Sequence, residues 1–151
     1  MEIKDLFLPA VYAEFIGRIE LIRPELKPLW GKMNAAQMLT HVAEPFRIAN
    51  GDVKPRMEWR GRIFGCMLKG LVTKPEPYPK NSPTSRDFIF PEDVGFVNSK
   101  ALLIKLLNRF HLEGPEGVTT GPHPFFGKLT TVQWNSAMSK HLDHHLTQFG
   151  A

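Results

Sequence analysis

Helical periodicity is the feature of this sequence that most constrains its fold. In four long segments the apolar residues recur every three or four positions, as they do along one face of an α-helix. No segment sustains the alternation of polar and apolar residues that is typical of strands, so the sequence predicts an all-α protein, a four-helix bundle. The predicted helices run from about Pro9 to Ile22, from Asn34 to Ala49, from just after Pro91 to about Phe110, and from Thr130 nearly to the C-terminus. A weaker fifth segment, 59–71, is apolar on one side but contains three glycines, which lower its helix propensity.

Two of the helix starts carry a recognisable capping pattern. Asn34 is followed three residues later by Gln37, and Thr130 by Gln133. Each pair matches a capping box, in which a side chain at each end satisfies a free backbone N–H group at the other. Pro45 falls inside the second helix, where a proline removes one helical hydrogen bond and favours a kink.

The lengths of the connections predict the order of the helices. The first link, Arg23 to Met33, is short enough to join antiparallel neighbours. The second, Gly51 to Pro91, has about forty residues, far more than most links within bundles. A crossover of this length allows helices 2 and 3 to run parallel. We therefore expect an up-down-down-up bundle with a long crossover between helices 2 and 3, in which helices 2 and 4 are antiparallel.

The length of 151 residues suits a single domain, spanning residues 1–151. The single cysteine, Cys66, excludes an internal disulfide, and no apolar stretch is long enough to cross a bilayer. The N-terminus is charged and lacks the apolar core of a signal peptide. We therefore expect a cytoplasmic protein without a membrane partner, and a homodimer is compatible with the sequence.

The net charge of +4 arises from the region Gly51–Lys80, which contains seven basic and three acidic residues. Such a patch can attract nucleic acid or an anionic ligand. No zinc finger, RNA-binding aromatic motif or long basic run accompanies it, so a solvated helix face is the simpler interpretation. Nucleic acid is therefore not an expected partner.

Three histidines occupy inward positions of the predicted bundle. In the last helix, His141 and His145 are four residues apart on the face that also carries Trp134 and Met138. In helix 2, His41 lies on the corresponding face. With a rise of about 1.5 Å per residue, His41 is roughly 10 Å from the start of helix 2, and the other two are roughly 6 to 13 Å from the end of helix 4. Because these two ends coincide in an antiparallel pair, the three imidazoles are expected to meet.

Three converging imidazoles are typical of a metal site. A single inward histidine is more often a hydrogen-bonded core residue, and histidine-rich C-termini are sometimes only solvated. Three together need polar partners, because an unpaired buried polar group costs about 1–3 kcal/mol, and one divalent ion satisfies all of them. The sequence therefore predicts metal binding by His41, His141 and His145, with zinc favoured by the ligand type and nickel as an alternative.

The three remaining histidines are expected to have other roles. His144 lies beside the inward face, where it can support the site or replace one of its ligands. His111, near the end of helix 3, and His123, before helix 4, are expected at the opposite end of the bundle and are excluded as ligands.

A site with three neutral imidazoles leaves one coordination position open, which is typical of catalytic rather than structural metal sites.

Several motifs in this sequence are shared with a known superfamily. A histidine in helix 2, followed about a hundred residues later by His-x-x-x-His-x-x-Gln, resembles the DinB-like (YfiT-type) metalloenzymes. Further segments look like one branch of that superfamily: Leu29-Trp30-Gly31-Lys32-Met33, Ala35 to His41, Pro79 to Thr84, His123-Pro124-Phe125-Phe126-Gly127 and Lys140 to Gly150. The resemblance implies an up-down-down-up bundle and a metal site at His41, His141 and His145. One departure is that Leu146-Thr147-Gln148 stands where relatives often have Arg-Gly-Gln, so ligand contacts of that arginine do not carry over.

Two classes of function follow. The first is a metal-dependent enzyme of hydrolase or thiol-dependent transferase type, since members of the superfamily include thiol-dependent transferases and isomerases, and a low-molecular-weight thiol is then a candidate cosubstrate. Its small-molecule substrate is expected to contact Trp30, Lys80 and Asn81, in a pocket with the Pro-rich loop 74–91 as one wall. No residue stands out as the catalytic acid or base, and Glu44, one turn after His41, is the best candidate. The second class is a non-catalytic small-molecule-binding or stress-associated bundle with structural histidines.

Overall fold

A computed structural model describes residues 3–54, 69–70, 74–82, 84 and 88–151. Four α-helices lie within this part of the chain, and it contains no β-strand. They are α1 (Pro9–Leu21), α2 (Ala35–Ala49), α3 (Phe96–Glu113) and α4 (Thr131–Gln148), and a 3₁₀ helix, Gly114–Gly117, follows α3. Within the described residues, the predicted all-α class with four helices is confirmed. Most of the predicted fifth segment, 59–71, and much of the basic region lie outside the described residues.

Both predicted capping boxes are present. The Asn34 side chain accepts from the Gln37 amide at 2.8 Å, and the Gln37 side chain accepts from the Asn34 amide at 2.9 Å. Thr130 and Gln133 make the same reciprocal pair at 3.2 and 3.0 Å. The helix that begins after Asn34 continues through Pro45 to Ala49, so the proline does not end it. These caps satisfy backbone donors that the first turn of a helix leaves without partners.

The four helices share one hydrophobic core. The Phe46 and Phe110 rings, from α2 and α3, meet edge to face with centroids 5.5 Å apart, and Phe7 stacks on Phe110 at 5.0 Å. The largest side chains that are fully buried come from all four helices and include Phe15, Ile19, Met38, Leu39, Leu103, Leu107 and Trp134. Each helix thus buries the apolar face that its periodicity predicted.

The beginning of α2 lies against the end of α4. The backbone amide of Leu29 donates to the Gln148 carbonyl at 2.8 Å, and the Gln148 side-chain amide donates to the Trp30 carbonyl at 2.6 Å. Because the segment before one helix meets the end of the other, the histidines of α2 and α4 are brought to one level.

The beginning of α2 also lies against the beginning of α3. The Gln37 side chain donates to the Phe90 carbonyl at 2.8 Å, and the hydroxyls of Thr40 and Ser99 are 2.8 Å apart. Beyond the end of α2, the Asn50 side chain donates to the Leu106 carbonyl in the second half of α3 at 3.1 Å.

Within the described ranges, no helix is both long and apolar enough to span a membrane.

Candidate metal centre

Three imidazoles from two helices converge on one point. His41 lies in the middle of α2, and His141 and His145 lie one turn apart in the last third of α4. One nitrogen from each ring falls within 4.8 Å of the corresponding nitrogens of the other two. The ring centroid of His145 is 4.7 Å from those of both His41 and His141. The predicted convergence of the three histidines is present in the structure.

In two of these rings, Nδ1 makes a hydrogen bond to another group of the protein. His41 Nδ1 is 3.0 Å from the Phe88 carbonyl, which can only accept, so this nitrogen carries the proton. His145 Nδ1 is 2.8 Å from Gln148 Oε1, and the amide of Gln148 donates onward to the Trp30 carbonyl. Each ring therefore has its lone pair on Nε2, the nitrogen that a metal ion would bind. Hydrogen bonds of this kind orient the histidine ligands of metal sites.

Burial keeps these imidazoles neutral. Burial, with a smaller contribution from His41, lowers the pKa of His145 to about 3 although its bond to Gln148 opposes the shift. Burial, followed by the neighbouring His145 and His41, holds the pKa of His141 well below 6.5. For His41 itself, burial outweighs the bond to Phe88 and the pKa is again lowered. The neutral ring is the form that binds a metal ion.

A glycine makes room for the amide that positions His145. Gly31 has a φ of +82°, which L side chains rarely adopt. A Cβ at this position would lie 2.6 Å from Gln148 Nε2. The Trp30-Gly31 segment can accept the Gln148 hydrogen bond because residue 31 has no side chain.

A cavity of about 120 Å³ opens beside His41 and His141. Most of its wall is apolar. The other described residues that line it are Pro45, Tyr78, Thr84, Phe88, His123, Phe125, Phe126, Ala137 and Met138. Tyr78, Thr84 and Phe88 belong to the segment 74–91, so the prediction that this Pro-rich loop forms one wall is confirmed.

The expected position of His123 is wrong, since His123 lines the same cavity as His41 and His141. Residues 123–127 form a tight turn in which the backbones of His123 and Gly127 exchange hydrogen bonds of 2.8 and 3.1 Å. The amides of Phe125 and Phe126 both approach His123 Nδ1, at 3.1 and 3.4 Å. The ring stacks on Phe126 and lies 5.2 Å from the ring of Trp134, so the turn folds back over α4. His123 does not join the three-histidine cluster.

Lys140 is a further residue of the site that the sequence did not single out. Its side chain is buried, with 1% exposed, immediately before His141. Nζ donates to the Lys74 carbonyl at 2.8 Å and lies 4.8 Å from the centre of the Tyr78 ring. Burial lowers the pKa of Lys140, and the nearby Glu76 opposes this shift. Lys140 thereby ties the segment that carries Tyr78 to α4.

The three residues expected to contact substrate lie together. Lys80 Nζ is 4.4 Å from the centre of the Trp30 ring, and the Asn81 side chain comes close to Gly31. The Trp30 ring meets His144 edge to face at 5.5 Å. None of Trp30, Lys80 and Asn81 is among the described residues that line the cavity. They form a separate patch near the end of α4, and their contact with substrate stays a prediction.

Glu44 and Asp143 each form an ion pair with an arginine. Glu44 accepts from Arg47 at 2.9 Å and is not among the described residues that line the cavity. Asp143 pairs with Arg18 of α1 at 2.6 Å. His111 bonds to the Leu6 carbonyl at 2.9 Å near the end of α3, away from the metal centre. No contact of Glu44 assigns it a catalytic role, so that role stays a prediction.

The fold and the site define a helical protein in which three histidines can hold a metal ion beside an aromatic cavity. The chain belongs to the family described as "Protein of unknown function (DUF1569)", which matches residues 18–151. The match includes α2, α3 and α4 and all three histidines of the cluster. No curated protein and no solved structure matches the chain significantly.

Proposed function

We propose that this protein binds one divalent first-row metal ion through His41, His141 and His145 and uses it in an enzymatic reaction on a small molecule. Zinc suits three imidazole ligands best, and nickel is the alternative. The reaction types that fit a centre with an open coordination position are hydrolysis and the transfer of a low-molecular-weight thiol. The observation that carries this proposal is the convergence of three neutral imidazoles. Two of them are oriented by a hydrogen bond from Nδ1.

The spacing of the donor atoms suits a metal ion. Zinc–nitrogen bonds of about 2.0–2.1 Å in a tetrahedral centre place the ligand nitrogens about 3.3 Å apart. His41 Nε2 and His141 Nε2 are 3.0 Å apart, and the whole set of ligand nitrogens lies within 4.8 Å. A small movement of the side chains therefore brings all three to bonding distance.

The chemistry that such an ion supplies is Lewis-acid activation of a water molecule or a thiol. The protein's own residues have other tasks. Phe88 and Gln148 orient two of the imidazoles, and the largely apolar wall of the cavity adjoins His41 and His141. Lys140 anchors the segment that places Tyr78 at the cavity.

The proposed fold family is the DinB-like superfamily, with its helices in up-down-down-up order. Contacts at the helix ends support this order, because the start of α2 meets both the end of α4 and the start of α3. The position of the three histidines in α2 and α4 supports the same assignment. Trp30, Lys80 and Asn81 are proposed as an outer part of the substrate site, next to the cavity and not in its lining.

A second function is favoured by one contact. The 3.0 Å separation of His41 Nε2 and His141 Nε2 is also that of a hydrogen bond between two neutral imidazoles. Such a pair needs no metal, and the histidines are then structural elements of a binding or stress-associated bundle. Metal content separates the two functions.

The test is elemental analysis of tag-free protein and three single variants. The wild-type protein is expected to contain up to one first-row metal ion per chain, and His41→Ala and His141→Ala are expected to lose it. His111→Ala is the matched control, because His111 lies on α3 outside the cluster. Full metal retention in His141→Ala removes that residue from the site. Ester hydrolysis or thiol transfer that disappears on chelation and returns with zinc then tests the enzymatic part.

A further inference from the structure

The cavity beside the three histidines differs in chemistry from the patch that contains Lys80. Its described lining residues include no lysine, arginine, aspartate or glutamate. Lys80 lies over the Trp30 ring instead. The volume of about 120 Å³ is comparable with the roughly 150 Å³ of an apolar cavity that admits benzene. The space therefore fits an apolar body of about the size of one ring.

Two polar groups on this wall have a hydrogen to donate. The Tyr78 hydroxyl makes no hydrogen bond to the described part of the chain, although its ring is held by Lys140. His123 Nδ1 accepts from the amides of Phe125 and Phe126, so the proton of this neutral ring is on Nε2. No described residue accepts from that nitrogen. Both Tyr78 and His123 line the cavity.

Burial keeps both groups in the donating form. It lowers the pKa of His123 to about 3, so the ring is uncharged at neutral pH. It also raises the pKa of Tyr78 above the usual value for a phenol. The cavity thus offers two neutral donors and no charged side chain from the described residues.

We propose that the cavity binds a small uncharged molecule with an apolar body of about one ring and an oxygen acceptor, such as an amide, ester or ketone carbonyl. Tyr78 and His123 are the donors to that oxygen, and the rings of Phe88, Phe125 and Phe126 enclose the apolar body. This proposal deepens the proposed function, because it names the class of substrate that is presented to His41 and His141.

The alternatives fit the cavity less well. A free anion or cation would lose its hydration in an apolar space without a partner of opposite charge, which is costly. A purely apolar molecule would fill the space but leave the two donors without acceptors, and an unsatisfied buried donor also costs free energy. A neutral carbonyl compound satisfies both conditions.

The test measures binding of three fluorinated probes by ¹⁹F NMR, in zinc-loaded and in EDTA-treated protein. The probes are 4-fluorobenzamide, which has the acceptor, 4-fluorotoluene, which lacks it, and 4-fluorobenzenesulfonate, which is an anion. 4-Fluorobenzamide is expected to bind most tightly in both preparations. Tyr78→Phe is expected to weaken its binding about five- to tenfold, the value of one neutral hydrogen bond.

Two further variants make the result specific. Tyr12→Phe is the matched control, because the Tyr12 hydroxyl bonds to Asn108 between α1 and α3 and not to the cavity. Ala137→Leu adds three carbon atoms to the cavity wall and is expected to abolish probe binding while circular dichroism shows unchanged helix content.

The outcomes separate this inference from the proposed function. Equal affinity of wild type and Tyr78→Phe for 4-fluorobenzamide overturns the inference, as does competition by the sulfonate at equal affinity or the absence of saturable binding. If 4-fluorobenzamide binds as expected to a protein that holds no metal in elemental analysis, the inference stands and the metal-dependent function fails.

Discussion

His145 donates from Nδ1 to the side-chain oxygen of Gln148 at 2.8 Å, so one residue at the end of α4 fixes the orientation of a histidine one turn earlier. The same amide group donates from its nitrogen to the Trp30 carbonyl at 2.6 Å. Gly31 leaves the space in which this amide lies. The short segment before α2 therefore helps to orient a histidine of the proposed metal centre.

Gly31→Ala is expected to weaken metal binding about 10- to 100-fold, the usual loss when a partner of a ligating histidine is displaced. The new Cβ would lie 2.6 Å from Gln148 Nε2 and push the amide away from His145. Gly51→Ala is the control, because Gly51 has a similar φ of +78° and a Cβ added there would meet nothing within 4 Å. Both variants place alanine at a similar positive φ, so a competition titration against a chelator compares the effect of the added Cβ on metal affinity. Equal metal affinity of the two variants would contradict this account.

Acid is expected to destabilise the metal-free protein. The pKa values of His123 and His145 are about 3 in the folded chain and about 6.5 when unfolded. The unfolded chain therefore binds more protons, and the free energy of unfolding falls as the pH drops below 6.5, by at most about 1.4 kcal/mol per pH unit for each group. Urea unfolding in EDTA between pH 7 and 5 measures this, and His123→Gln should show a shallower dependence. Stability that is constant or increases towards pH 5 would refute the prediction.

Arg18→Met is expected to lower the free energy of unfolding by about 1–2 kcal/mol, because charged hydrogen bonds between α1 and the end of α4 are lost. Arg18 bonds to Asp143 at 2.6 Å and to the Ala151 carbonyl at 2.9 Å. Arg23→Met removes an exposed arginine and is expected to change stability by less than about 0.5 kcal/mol. Urea denaturation of both variants measures the difference. Equal stabilities would show that the Arg18 hydrogen bonds contribute little to the free energy of unfolding.

The sequence predicted the helices and the histidine cluster because both depend on local rules. Capping boxes mark where α2 and α4 begin, and helical spacing decides which side of each helix is buried. His41 and His145 are both buried, as their positions in the periodic pattern indicated. Once the start of α2 and the end of α4 coincide, the histidines meet.

The rest of the site depends on chain segments without periodicity. His123 was expected far from the metal because it precedes α4, but the turn closed by Gly127 folds back over Trp134. Lys140 and Tyr78 are far apart in the sequence, and no local pattern indicates that a lysine will be buried under a loop. Such contacts arise from tertiary packing, which the hydrophobic pattern of single segments does not specify.

The most direct test of the metal centre is X-ray absorption spectroscopy of the metal-loaded protein. The account predicts three imidazole nitrogens at about 2.0–2.1 Å from a zinc ion, with the outer-ring scattering that identifies imidazole. The His141→Ala protein should lose this signal, whereas His111→Ala should keep it. A first shell that contains sulfur from the single cysteine, Cys66, or only the oxygens of a hydrated ion would contradict a centre built from His41, His141 and His145.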